Sequence, residues 1–264
     1  TSIITHFLNK QTSTFFYYCI VLFGCILHFF YFCKTISDCF LFNYFSDISV
    51  KIVNLQCFSF IFTEEISNQS LMKKVVVFCG SSLGFNSVYK DAAIELANYF
   101  VTENIELVYG GGKIGMMGVL ADTMLKQNGT VIGVIPGLLK REEVIHTGIS
   151  EIIVTKKMSE RKVIMSKLID GYITLPGGFG TLDELFEALT LNQLHIEQKP
   201  IGLLNVNGFF DHTLKQLDVM ISEGYLKQKS RSLLFVDSTV NGLMKQMQNY
   251  SAPEKTPIIN KVVS

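Results

Sequence analysis

Seven short apolar runs, six of them followed by a polar turn and then by a stretch of helical period, constrain this chain more than any other feature. The runs cover residues 75–79, 106–109, 131–135, 151–154, 172–175, 201–204 and 233–236. Helical patterns lie between and after them, near 88–101, 115–127, 158–169, 181–195, 209–222 and 239–249. The runs are continuously apolar instead of alternating. A strand reads that way when both of its faces are covered, as in a parallel sheet. Strand and helix in alternation then predict an open, doubly wound α/β fold with a mostly parallel sheet and a single domain over 72–250. Ligands in such a sheet bind at the carboxyl ends of the strands. Three glycine-rich turns fall there: Gly80-Ser81-Ser82 after the first run, Gly110-Gly111-Gly112 after the second, and residues 176–181 after the fifth.

The turn after the fifth run is the most informative of the three. It reads Pro176-Gly177-Gly178-Phe179-Gly180-Thr181 and leads into a helical pattern at Leu182, Leu185, Phe186 and Leu189. Gly177, Gly178 and Gly180 let a ligand approach the backbone. The N–H groups of such a turn and of the helix start suit a phosphate. Thr181 has two readings, a helix cap or a donor to a phosphate oxygen. Glu184 also has two. Thr181-Leu182-Asp183-Glu184 spells a capping box, in which Glu184 bonds back to the Thr181 N–H. Alternatively, Glu184 is an acid or base beside a phosphate cradle. Asp183 and Glu187 read as solvated helix charges. Arg161 shares a helix face with Met158, Ile164, Met165 and Leu168. A guanidinium in an apolar stripe needs an anion to meet it, and the next strand runs back toward Glu184. Lys162 stands beside it and could serve the same ligand. Ser81 and Ser82 read as hydrogen-bond donors to a ligand.

Several chemistries lack their signatures. Gly110, Gly112 and Gly115 form a GxGxxG pattern, but the strand that follows has no terminal carboxylate for the hydroxyls of a dinucleotide ribose. Gly112-Lys113 lacks the Ser or Thr of a phosphate-binding P-loop. A tight strand–helix turn that needs glycine only for packing is the competing reading of this segment. The five His are scattered without metal-ligand spacing, and Cys79 has no CxxC partner. Ser81 and Ser82 sit in no GxSxG elbow. No feature singles out Lys113, Lys162 or Lys167 as a Schiff-base lysine. Net charge is zero, so no basic excess argues for a nucleic-acid partner.

Composition breaks near Met72. Residues 1–71 hold five of the 6 Cys and 13 of the 21 Phe, with no Met, Arg or Pro. They also contain an uncharged run of 18 residues at 15–32, the lower length for a membrane span. Three expectations compete. Residues 1–71 are translated AT-rich sequence upstream of a gene that starts at Met72, or residues 15–32 are a hydrophobic anchor, or the run is a signal sequence, though it shows no small-residue cleavage site and a weakly basic start. The segment from Met72 contains a single Cys, which fits a reducing, cytoplasmic setting. The tail at 251–264 reads as a loose extension.

Several of these residues together resemble the LONELY GUY family of cytokinin riboside 5′-monophosphate phosphoribohydrolases. They are Val77-Phe78-Cys79-Gly80-Ser81-Ser82, Val108-Tyr109-Gly110-Gly111-Gly112, Arg161-Lys162 and Pro176-Gly177-Gly178-Phe179-Gly180-Thr181-Leu182-Asp183-Glu184. The resemblance implies a Rossmann-like homodimer that cleaves the N-glycosidic bond of a nucleoside 5′-monophosphate without metal or organic cofactor. It implies Arg161 and Glu184 as the catalytic pair. It implies Lys162, Gly177, Gly178, Gly180 and Thr181 as ligands of phosphate and ribose, and Glu143 and Thr190 as further contacts. Gly111 and Gly112 belong to its second glycine turn. The chain departs from the family pattern at Ser159, where His is usual, and at Phe179, where Tyr is usual. Both departures bear on base preference. A nucleotide-binding carrier or sensor on the same fold is the alternative function.

Overall fold

A computed structural model describes residues 72–139 and 145–252. The expectations for 1–71, for the span 15–32 and for the tail beyond 252 lie outside the described residues, as does Glu143. The described chain runs β1 (Lys74–Phe78), α1 (Ser87–Thr102), β2 (Glu106–Tyr109), α2 (Gly115–Leu125), β3 (Val131–Pro136), β4 (Glu151–Thr155) and α3 (Met158–Leu168). It continues through β5 (Gly171–Thr174), α4 (Phe179–Gln193), β6 (Ile201–Leu204), α5 (Asp211–Ser222), α6 (Gln228–Arg231), β7 (Leu234–Asp237) and α7 (Val240–Gln248).

All seven strands of the sheet are parallel, in the order β4-β3-β2-β1-β5-β6-β7. Val75 and Val77 of β1 face one helical layer, built from α1, α2 and α7, with Phe100, Leu120, Met124 and Met244 at its centre. Val76 and Phe78 face the other, built from α3, α4 and α5, with Met165, Leu185, Phe210 and Leu217. Each fully buried Val or Leu contributes about 1.5–3 kcal/mol. A strand covered on both sides therefore gains from apolar residues at every position. Glu151, Ile152, Ile153 and Val154 of β4 keep partial exposure because β4 is the sheet's edge. Two layers and one continuous sheet bear out the doubly wound α/β expectation.

Strand order reverses between β1 and β5. The chain leaves β1 toward β2, β3 and the β4 edge, then α3 carries it back beneath the sheet to β5. Open α/β sheets bind ligands in the crevice at such a reversal. Here the turns after β1 and β5 flank that crevice, and the Gly80 N–H donates to the Pro176 carbonyl at 3.0 Å. Among the described residues no helix is long and apolar enough to cross a membrane.

Candidate active site

The helix expected at 181 starts two residues earlier, at Phe179, with Gly178 as its N-cap. That shift decides between the readings of Glu184. Thr181 lies inside the first turn, buried at 4% exposure, and caps nothing. No capping box forms. Glu184 Oε1 instead accepts from Arg161 Nη2 at 2.8 Å, with the two side chains 14% and 11% exposed. The expectation that Arg161 meets an anion is thus met by Glu184 itself. Its apolar stripe is only partly buried: Met165 is enclosed, while Met158 is 52% exposed and its sulfur accepts from Arg161 Nη1. Arg161 Nε is buried with no partner.

Glycine makes room for this pair. A Cβ on Gly110 would sit 2.8 Å from Arg161 Nη2, so the guanidinium lies over the bare backbone at the end of β2. Gly115 has φ +64°, and a Cβ there would stand 2.2 Å from the Ser81 carbonyl, so the first two glycine turns touch backbone to backbone. Gly118 is equally tight against the Lys113 carbonyl. The GxGxxG segment therefore serves packing at Gly115. Gly111, at φ +76°, and Gly112 are both buried, against Ile135 and Met117 respectively. The chain resumes after the undescribed Glu143 segment by pairing Ile145 with Gly112 and donating the His146 N–H to the Gly111 carbonyl at 2.9 Å.

The third turn behaves differently. Gly177 is pressed against Thr181 Oγ1 and the Gly80 amide, but Gly178 and Gly180 face open space. A cavity of about 350 Å³ lies here, lined by Gly80, Ser81, Ser82, Pro176, Gly177 and Gly178 among others. Tyr89, Met116 and Phe209 complete its wall. They come from three separate elements, and nothing local in the sequence marks them. A second cavity, of about 300 Å³, opens between α3 and α4 and is lined by Lys162 and Glu184. Lys162 Nζ bridges Asp183 at 2.6 Å and Glu187 at 2.5 Å. Those two acids are solvated, as the sequence suggested, with side chains 63% and 40% exposed, and they also pair with Lys162. Thr190 lies six positions beyond Glu184, about 9 Å further along the helix. It is exposed, and its hydroxyl donates to the Phe186 carbonyl.

Burial raises the Glu184 carboxyl above the ordinary range, and Arg161 and then Lys162 pull it partly back. Charge pairing with Arg161 alone would hold Glu184 ionised, but desolvation outweighs that attraction. Burial, with help from the Glu184 charge, also pushes the Cys79 thiol up, which keeps it unreactive. Among the described residues no three His, Cys, Asp or Glu side chains converge in a way that could hold a metal ion.

A family model described as "Possible lysine decarboxylase" matches residues 117–247. The cytokinin riboside 5′-monophosphate phosphoribohydrolase LOG4 of Arabidopsis thaliana is 40% identical over 191 residues, which covers 71% of this chain and 89% of the relative. A probable enzyme of the same name from Oryza sativa, LOGL2, is 39% identical over 74% of this chain and 79% of its own length. The molybdenum cofactor binding protein of Rippkaea orientalis shares the fold, with a TM-score of 0.51 at 22% identity, over 67% of this chain and 96% of that one. With identity of this order over most of both chains, and with Arg161 and Glu184 joined at the sheet's reversal, the chain belongs to the LONELY GUY family of cytokinin riboside 5′-monophosphate phosphoribohydrolases.

Proposed function

We propose that this protein hydrolyses the N-glycosidic bond of an adenosine 5′-monophosphate, with or without an N6-prenyl group, to the free base and ribose 5-phosphate. The observation that carries the reading is the enclosed Arg161–Glu184 pair, whose carboxylate lines the cavity between α3 and α4 beside the sheet's reversal. Glycosidic cleavage passes through an oxocarbenium-like state and needs nearby negative charge and an activated water. Glu184 supplies both: its carboxylate faces the developing cation and takes a proton from the attacking water. The hydroxide adds to C1′, the C1′–N9 bond electrons leave with the base, and the proton that Glu184 took from the water passes to the departing base, which restores the carboxylate. A carboxyl raised by burial is a better proton acceptor than an ordinary one, and Arg161 fixes its direction.

The 5′-phosphate belongs at the turn of Gly177, Gly178, Gly180 and Thr181, with Ser81 and Ser82 opposite. Binding energy spent there fixes the ribose over Glu184. Lys162 acts through its two carboxylates and adds positive charge beside Glu184. Glu143 and Thr190 complete the proposed contacts, and the working unit is a homodimer in the cytoplasm that needs no cofactor. Incubating the protein with AMP and with isopentenyl-AMP, then resolving free base by chromatography, tests the reading. Base release supports it. Nucleotide binding without release would make the protein a carrier.

A further inference from the structure

The two cavities differ in what they can hold. The one at Ser81, Ser82, Gly177 and Gly178 offers hydroxyls and backbone to a ligand. The one between α3 and α4 is lined by three carboxylates, those of Glu184, Glu187 and Glu197, by Lys162 and Lys167, and by the apolar Phe78, Met165 and Leu191. The acids outnumber the lysines in the second cavity, and Lys162 is already paired with Asp183 and Glu187, so a phosphate dianion gains more from the hydroxyls and backbone of the first. On the hydrolase reading, C1′ of the ribose lies at Glu184. The base must then enter the cavity between the helices.

Both α3 and α4 start at the carboxyl rim of the sheet, so their later residues lie deeper. Lys162 and Glu184 are near the rim. Ser166, four positions past Lys162 and so about 6 Å further along α3, and Glu197, beyond the end of α4, line the deeper part of the same cavity. A base that enters this cavity past Glu184 meets Ser166 and Glu197 at its far end. Glu197 is held there: the Tyr172 hydroxyl donates to one carboxylate oxygen and the Ser166 hydroxyl to the other. Lys199 Nζ donates to the Ser166 carbonyl and supplies the nearby positive charge. A carboxylate accepts at about four positions and donates at none. Two positions are taken by Tyr172 and Ser166, and Glu197 lines the cavity with acceptor capacity left for a ligand that brings an N–H.

We infer that Glu197, oriented by Tyr172 and Ser166, reads the base and selects a purine with an amino group at C6 over one with an oxo group. An amino group, even with one N6 substituent, keeps an N–H for the carboxylate. A six-oxo group sets lone pair against lone pair in a half-buried cavity, and a site built to accept a hydrogen bond rejects the analogue that lacks it. The inference rests on the hydrolase reading for the placement of the base and adds a specificity residue to it.

The test compares AMP with IMP on the full-length chain. Wild type should favour AMP in kcat/KM by roughly 100-fold or more. In Glu197→Gln, whose amide can donate to an oxo group, the ratio should fall to within about tenfold, with the melting temperature retained. Tyr172→Phe should raise KM for AMP with little change in kcat. An unchanged AMP-to-IMP ratio in folded Glu197→Gln overturns the inference. Equilibrium binding of AMP and IMP to Glu184→Gln, with and without Glu197→Gln, gives a readout that needs no turnover. If wild type released no base but that preference were present and vanished with Glu197→Gln, the hydrolase reading would fail and the base-reading role would stand.

Discussion

Burial and the guanidinium of Arg161 pull the Glu184 proton in opposite directions, and burial prevails. The folded protein therefore holds that proton more tightly than the unfolded chain does. For a group raised on folding, the stabilising contribution is complete below the ordinary carboxylate range and is lost as pH rises through the folded value. At neutral pH the ionised Glu184 is a cost to stability. Glu184→Gln should thus melt higher than wild type near pH 7.5, and the gap should close at acid pH, as read by thermal unfolding at both. The same variant should lose base release by about 100-fold to 10,000-fold while still binding nucleotide. Arg161→Lys keeps the charge but loses the planar fork that reaches from Gly110 to Glu184. Its kcat/KM should fall about 100-fold, measured by steady-state base release. Arg161→Met removes the counter-charge, so the acid limb of the kcat/KM profile should move to higher pH.

At the scale of elements, the glycine turns separate into those that hold the scaffold and those that leave space. Gly115→Ala places a methyl group on the Ser81 carbonyl in a left-handed backbone. It should cost about 2 kcal/mol or more and lower activity through displacement of the first turn, seen as parallel losses in melting temperature and kcat/KM. Gly178→Ala meets nothing within 4 Å. It should leave the melting temperature unchanged and raise KM for the nucleotide, because the added methyl group occupies space proposed for the phosphate. The strands were legible because double-sided burial writes itself as unbroken apolar runs, and all seven appear within about a residue of their expected limits. The start of α4 was less legible. Thr181-Leu182-Asp183-Glu184 spells a cap, but glycine residues at 178 and 180 tolerate an earlier start and Arg161 claims the carboxylate. The four-residue α6 carries too little periodicity to announce itself. Tyr172, Ser166 and Glu197 gave no local signal, since only the packing of α3 against α4 brings them together.

For the molecule as a whole, ligand and fold are linked through the crevice. A nucleotide that binds only the folded state adds about 2.7 kcal/mol at a hundredfold excess over its Kd. For a domain of this size that corresponds to a rise of roughly 5–11 °C in melting temperature, so AMP with the inactive Glu184→Gln should show a concentration-dependent shift in a thermal melt. Adenosine, lacking the phosphate, should shift it far less. The bond from the Gly80 N–H to the Pro176 carbonyl has one more consequence, for folding. It joins turns on β1 and β5, neighbouring strands whose bases are tied by a contact between Lys74 and Asp170, 96 positions apart in sequence. Closing so long a loop carries an entropy cost that local helices do not face. The β1–β2 half of the sheet can form without it, but the crevice cannot. During refolding, recovery of nucleotide binding should therefore lag behind recovery of helical circular dichroism, and catalytic competence is among the last properties this chain acquires.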